Sequence, residues 1–576
     1  MPGLDAVAWR RRLLLGLILV VIAGLCARAF YLQAWNRDFL LSEGDARHLR
    51  TVRLQAHRGP ILDRSGEPLA VSTPVDSVWV DAKALFASGG KDGRPAPKAQ
   101  IVELARGLGR DPEALYRFLA GRPDRRFVYV ARHLPPERAA RIKALGVAGV
   151  ELQREYRRYY PSAEVAAHVL GFTDIDDRGQ EGLELAYDDW LRGQPGAKRV
   201  LRDRRGRVVA DVARIRAPEP GRELVLSIDQ RIQYLAYRAL KRGVRRVGAR
   251  GGSLVVLDPR SGEVLAMVNQ PSFNPNNPAD RKPGRTRNRA VTDVFEPGST
   301  VKPFTVAAAL ASGRYAPDYT VETSPGWWRI AHYTIRDLHD YGRVSLERIL
   351  VKSSNIGAAK LALGMPAERL WSVFHEVGFG AGTGSGFPGE AVGVLRDFQD
   401  WRQVEQATMA YGYGLSVTTL QLARAYAALA ADGESVSVTF LRRDAPPESQ
   451  RVLPARVARR VRHMLEGVVS DEGTARRAAV PGYRVAGKTG TVHKSQAGGY
   501  AKKRYLALFA GMAPATRPAL VIVVTVDEPE PGKHYGGVAA APVFAEVMAG
   551  ALRLLDIAPD AVERLEARRG AGGGAA

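Results

Sequence analysis

From Leu13 to Ala27 the chain runs fifteen residues without a charge, mostly Leu, Val and Ile, directly after Arg10-Arg11-Arg12. Arg28 interrupts, and Ala29-Phe30-Tyr31-Leu32-Gln33-Ala34-Trp35 continues the apolar character. The first piece alone falls short of the roughly 20 residues that a membrane-crossing helix needs. The second piece supplies the length, with Arg28 snorkelling or facing a partner. Tyr31 and Trp35 then fall where an aromatic belt is expected, and the arginines keep the N-terminus cytoplasmic. A cleaved signal peptide is the competing reading, because Ala27-Arg28-Ala29 formally fits A-x-A. An arginine there, with aromatics directly after it, fits cleavage poorly. A lipoprotein site at Cys26 lacks the small residue wanted before the cysteine, since Leu25 stands there. The expectation is a cytoplasmic tail over 1–12, an anchor over 13–35, and everything after it folded outside the membrane.

Of the 576 residues, 45% are hydrophobic and 25% charged, which excludes a disordered chain and predicts two large or three ordinary domains. The single cysteine excludes a disulfide framework and any cysteine-based zinc site. The ten histidines show no ligand spacing, so neither a metal nor a cofactor is expected. The net charge of +24 is spread along the chain, without a zinc finger, RNP-like motif or heptad-linked basic region. Attraction to an anionic surface or polymer, and not to nucleic acid, is the better reading.

After the anchor, His57 to Gly66 reads as a turn and Val71 to Val80 as a strand. Ser88 to Lys98 is a Gly/Pro/Lys loop, and Ile101 to Gly121 has helical spacing. The prolines of Arg216-Ala217-Pro218-Glu219-Pro220 mark a boundary between a domain over 36–220 and one over 221–560. Beyond it, two strands flank a helix over Asp229 to Val247, and a hairpin turns through Pro259-Arg260-Ser261-Gly262. A helix-rich stretch follows to about Ala431, and Val485 to Val526 returns to strand. The tail from 561 is low in complexity and expected to be disordered.

Ser299-Thr300-Val301-Lys302 follows Pro297-Gly298. In a helix starting there, positions i and i+3 share a face, so hydroxyl and amine are neighbours. Pro303 is tolerable only in a first turn, which pins the helix start near Ser299. The positive end of the helix favours an alkoxide-like Ser299, and a neutral lysine can serve as its base. Alone this pattern is weak, and a decoy stands at Ser88-Gly89-Gly90-Lys91. Ser353-Ser354-Asn355 is a second hydroxyl-plus-amide unit whose plain reading is an N-cap. Lys488-Thr489-Gly490-Thr491 is the strongest piece. It places Thr489 and Thr491 on one strand face, and Gly490 clears the edge for a ligand. Only 15 of the 84 basic residues are lysine, yet both motif positions keep it. Arginine cannot give up its proton, whereas a buried lysine can. The order SxxK, SxN, KTG is that of active-site serine β-lactamases and penicillin-binding proteins.

The chain resembles the class B penicillin-binding proteins, and within them the FtsI-type septal transpeptidases, the penicillin-binding protein 3 group. Arg58-Gly59 with Asp63-Arg64, Arg158 with Tyr160-Pro161, and Gly179 with Gly182 and Glu184 match the family's non-catalytic motifs. Phe295 to Phe304 matches its nucleophile segment. Ile335 to Gly342, Tyr411 to Leu415, and His534 to Gly537 with Ala541 to Phe544 match the division-specific branch. The elongation-specific branch is the nearest alternative, and a membrane-tethered serine β-lactamase is the second.

The resemblance implies a single transmembrane helix, a mixed α+β pedestal, and an α/β transpeptidase domain with a central antiparallel sheet, like that of serine β-lactamases. It implies that Ser299 attacks the penultimate D-Ala carbonyl of a peptidoglycan stem pentapeptide and that Lys302 takes the serine proton. Ser353 with Lys488 would relay a proton to the leaving amine, and Asn355 would hold Lys302 and the substrate amide. Thr489, Gly490 and Thr491 would bind the substrate, the hydroxyls at its carboxylate. Backbone N–H groups of Ser299 and Thr491 would form the oxyanion hole. β-Lactams would inhibit by acylating Ser299. Implied partners are the inner membrane and division proteins at the septum, including a polytopic FtsW-type glycosyltransferase. The N-terminal motifs are expected to pack pedestal against transpeptidase and to do no chemistry.

Overall fold

The structure, a computed structural model, describes residues 4–39, 49–88, 96–202, 208–496 and 499–561. The decoy lysine at 91 and the tail from 562 lie outside the described residues. The N-terminal helix Leu4–Phe30 continues through a π-helical turn, Tyr31–Trp35, and none of its described side chains is buried. Ala8–Trp35 is long and apolar enough to cross a membrane, so the two apolar pieces do join across Arg28. The Arg28 guanidinium lies over the Tyr31 ring, 5.5 Å from its centre.

Two compact units follow. The smaller takes in Pro74–Tyr156 and Gly193–Gly221. Its core gathers Val78, Leu85, Ile101, Leu104, Leu115 and Ile142 from short helices and a strand pair. The helical stretch predicted over Ile101 to Gly121 is two helices, Pro97–Leu108 and Pro112–Ala120. Gly109 adopts left-handed geometry at the first C-cap, and Asp111 caps the second helix by accepting from Ala114 N. Periodicity carries across such a break because the apolar faces of both helices meet one core.

The larger unit joins Arg58–Thr73 and Arg157–Arg192 to the chain from Arg222 onward. Two stretches of the N-terminal segment therefore pack with the C-terminal fold, although the prolines before 221 mark a break in the sequence. Inside it, the three N-terminal motifs converge on Glu184, which is fully buried. Glu184 accepts from Arg58 at 2.8 Å and from Arg158 at 2.6 Å, while Arg58 also reaches Asp188 at 2.7 Å. Asp63 accepts from the backbone of Ser65, Glu67 and Gln230, tying its turn to the start of helix Gln230–Arg246. These motifs hold packing together within the larger unit.

At the centre of this unit stands a five-stranded antiparallel sheet. Its order is Val264–Gln270, Gly251–Leu257, Leu520–Asp527, Gly499–Ala513 and Ala486–Gln496. The first two strands are buried at every residue, which explains the apolar runs Leu254 to Leu257 and Val264 to Val268: both faces are covered. Helices Gln230–Arg246 and Ala541–Leu554 pack together and against the sheet, as does Thr419–Ala430. The strand carrying Lys488 to Thr491 lies at the sheet's edge.

Candidate active site

Three segments meet at that edge. Gly298–Val301 forms a tight 3₁₀ turn that leads into helix Lys302–Ala311, with Pro303 in its first turn. The regular helix thus begins three residues later than the sequence predicts, and Ser299 sits on the 3₁₀ turn. Ser299 is half-buried, whereas Lys302 is fully buried. Tyr426 holds the turn from beneath, its hydroxyl donating to the Thr300 carbonyl at 2.8 Å. Gly298 N donates to the Gly412 carbonyl, and a Cβ on Gly412 would lie 2.1 Å from the Gly298 oxygen. The Tyr411 to Leu415 segment therefore needs glycine at 412, where φ is +89°.

Ser354 is the N-cap of helix Asn355–Leu363, its side chain accepting from Gly357 N at 2.9 Å. The plain reading of this motif is thus correct for Ser354 and insufficient for its neighbours. Ser353 has φ +59°, a left-handed conformation that non-glycine residues rarely adopt. Such strain persists only where the surroundings impose it, and here both lysines converge on this residue. Lys302 Nζ donates to the Ser353 carbonyl at 2.5 Å, to Asn355 Oδ1 at 2.7 Å and to Ser353 Oγ at 3.3 Å. Lys488 Nζ donates to the same Oγ at 3.0 Å and to the Thr489 carbonyl at 3.1 Å. A single hydroxyl bridges two buried amines.

Burial first, then the neighbouring charge of Lys488, drives the Lys302 amine far below the usual lysine range, against the pull of Asp337. Burial alone brings Lys488 down to about 7. Lys488 can therefore lose a proton near neutral pH, and Lys302 is biased the same way.

Gly490 is closed in on one side. A Cβ there would come 2.9 Å from Leu508 Cδ1 and 3.0 Å from Thr300 Cγ2, the latter on the nucleophile's own turn. Strand and turn pack this closely only with glycine between them. Thr489 shares a hydrogen bond with Thr474 at 2.8 Å, and Thr491 Oγ1 accepts from Gly536 N at 3.1 Å. The His534 to Gly537 segment thus lies beside the strand, with His534 stacked on Tyr505 at 4.2 Å. A cavity of 620 Å³ opens at Asn355 between Tyr333, Arg336, Tyr411, Tyr413 and Tyr500.

All eight predicted site residues lie on these three segments, and direct hydrogen bonds join Lys302, Ser353, Asn355, Lys488 and Thr489. Sequence reasoning gave no role to Asp337, Thr474 or Tyr426. Asp337 lies in a segment singled out only for its resemblance, and nothing near Thr474 or Tyr426 has the spacing of a motif. Glu405 and Glu368, which by residue type alone could activate water and whose helical stretches favour a solvated face, do not join this cluster. Glu405 accepts from Arg402 N at 2.7 Å and from Arg396 at 3.2 Å, and those bonds hold its carboxyl below the ordinary range. Glu368 is exposed in the first turn of helix Ala367–Glu376.

Known proteins are similar to this chain along most of its length. Residues 252–549 match the penicillin-binding protein transpeptidase domain, and residues 53–226 the penicillin-binding protein dimerisation domain. The chain is 43% identical over 556 residues to the peptidoglycan D,D-transpeptidase FtsI of Escherichia coli K12, covering 96% of this chain and 93% of that one. It is 42% identical over 551 residues to "Probable peptidoglycan D,D-transpeptidase PbpC" of Pseudomonas aeruginosa, covering 95% and 96%. The apo transpeptidase domain of Burkholderia pseudomallei penicillin-binding protein 3 superposes with a TM-score of 0.54 at 46% identity, over 58% of this chain and 97% of that one. With a dimerisation domain ahead of a transpeptidase domain, and the two lysines meeting at Ser353, the chain belongs to the class B penicillin-binding proteins, as a peptidoglycan D,D-transpeptidase of the FtsI type.

Proposed function

We propose that this transpeptidase cross-links stem peptides of the septal wall during cell division, through an acyl-enzyme on Ser299. Ser299 Oγ attacks the penultimate D-Ala carbonyl and its proton passes to Lys302. The peptide C–N bond breaks, and the departing D-Ala nitrogen takes a proton relayed through Ser353 from Lys488. Asn355 keeps Lys302 in place and meets the substrate amide. The hydroxyls of Thr489 and Thr491 receive the terminal carboxylate, and N–H groups of Ser299 and Thr491 receive the carbonyl oxygen. Each such donor contributes about 3–4 kcal/mol to the transition state. An amine of a neighbouring stem peptide then attacks the ester, and Ser299 recovers its proton.

The observation that carries this reading is the Ser353 hydroxyl lying 3.3 Å from one buried amine and 3.0 Å from another, a wired path for one proton. The FtsI relationship and the single N-terminal apolar helix support a single-pass protein of the bacterial inner membrane. In this reading its N-terminus is cytoplasmic, its catalytic domain periplasmic, and its partners are division proteins that include an FtsW-type glycosyltransferase. Intact-mass analysis after penicillin treatment tests the chemistry. A single adduct that persists for many minutes is expected, and Ser299→Ala must abolish it. Rapid return of the unmodified mass with accumulating penicilloate would indicate a tethered lactamase instead.

A further inference from the structure

The hairpin Trp327–Ile330 with Tyr333–Arg336 ends beside the catalytic turn, and its last residues carry more than packing. Asp337 Oδ2 accepts from Ser354 Oγ at 2.5 Å, while Oδ1 accepts from Asn355 N at 2.5 Å and Ile356 N at 3.1 Å. One carboxylate thus satisfies two of the free N–H groups at the start of helix Asn355–Leu363 and fixes the hydroxyl that caps it. The preceding carbonyl, that of Arg336, accepts from Asn355 Nδ2 at 3.0 Å. That bond leaves Asn355 Oδ1 turned to Lys302, which donates to it at 2.7 Å. The hairpin therefore orients the amide that orients the base.

We propose that Asp337 is a positioning residue for acyl transfer: it sets the Ser353-Ser354-Asn355 turn in place and is the counter-charge to the buried Lys302–Lys488 pair. The two lysines bring two potential positive charges into a dry site, and the carboxylate that acts on Lys302 is the one clamping the turn. Tyr341 is pushed up by burial and then by the charge of Asp337, and stays a neutral phenol. With this counter-charge beside it, the pair retains one proton to pass on while its other amine serves as base. Removing the negative charge makes the first deprotonation easier.

This inference rests on Lys302 as the base, and the test separates the two. Acylation of the full chain in detergent is followed by stopped flow against pH, and the midpoint of the acidic limb is read irrespective of plateau height. Asp337→Asn keeps an oxygen to accept from the two backbone N–H groups, turns the other acceptor into an N–H donor facing Ser354 Oγ, and removes the charge; the midpoint must fall by about one pH unit or more. Ser354→Ala removes a donor from Asp337 and leaves the charge, so its midpoint must stay with the wild type. A midpoint that does not move, or that rises, in Asp337→Asn overturns the proposal. If that variant does not fold, a shifted midpoint in Ser354→Ala overturns it, and an unshifted one supports it. Lys302→Arg must abolish the limb. A limb that survives there defeats the assignment of the base, whereas one that vanishes there and fails to move in Asp337→Asn defeats only that of Asp337.

Discussion

Lys302 and Lys488 are buried amines in a chain that uses arginine for most of its positive charges. The geometry explains the exception. Each amine donates to Ser353 Oγ from within a dry pocket, and each is useful only if it can also stand neutral. A guanidinium cannot. Lys302→Arg should therefore lose acylation by at least about 100-fold, close to Lys302→Ala, although charge and reach are kept. Stopped-flow quenching with a penicillin measures it, and a Lys302→Arg rate within tenfold of wild type would make the lysine a purely electrostatic element. Ser353 shows what a sequence hides. Its residue type was legible, but the left-handed backbone that aims it between two amines is imposed by the cap at Ser354 and the clamp at Asp337. The cap is local and legible, whereas the clamp from Asp337, seventeen residues away, is tertiary, and no local propensity announces it.

Elements were legible where burial is two-sided or a motif fixes an end. The strands Gly251–Leu257 and Leu520–Asp527 are apolar runs that a single residue string can reveal, and Asp229 marks the start of helix Gln230–Arg246 as its N-cap. Less legible was the onset of helix Lys302–Ala311, because the 3₁₀ turn before it is held by Tyr426 and Gly412 from far along the chain. The N-terminal motifs form another tertiary element. Beside Arg58, Arg158 and Glu184 lies Asp177, whose Oδ1 is buried and has no hydrogen-bond partner among the described residues. Burial pushes its carboxyl up to about 7, against the pull of the two arginines. The native state then holds a proton that the unfolded chain releases near 4, so this group lowers stability as pH rises from about 4 to 7. Asp177→Asn, which tolerates the same left-handed backbone, should melt a few degrees above wild type at pH 8 and show little gain at pH 4. Calorimetry at the two pH values decides; an equal difference at both would mean that the carboxyl does not titrate in this window.

At the scale of the whole chain, the apolar helix differs from the catalytic unit in composition, and no described side chain of Leu4–Phe30 is buried. Removing residues 1–35 should leave a soluble protein that still takes up fluorescent penicillin with unit stoichiometry on Ser299. A folded but unlabelled product would make the helix part of the catalytic fold. The pair of amines at the sheet edge has a broader effect. Burial holds both amines below the usual lysine range, so the site favours giving up a proton. A substrate ending in a carboxylate pulls the other way, because a negative charge beside an amine favours its protonated form. Recognition of the peptide's free end is then more than shape matching at Thr489 and Thr491: the ligand's own charge helps to set which amine keeps the proton that the reaction moves.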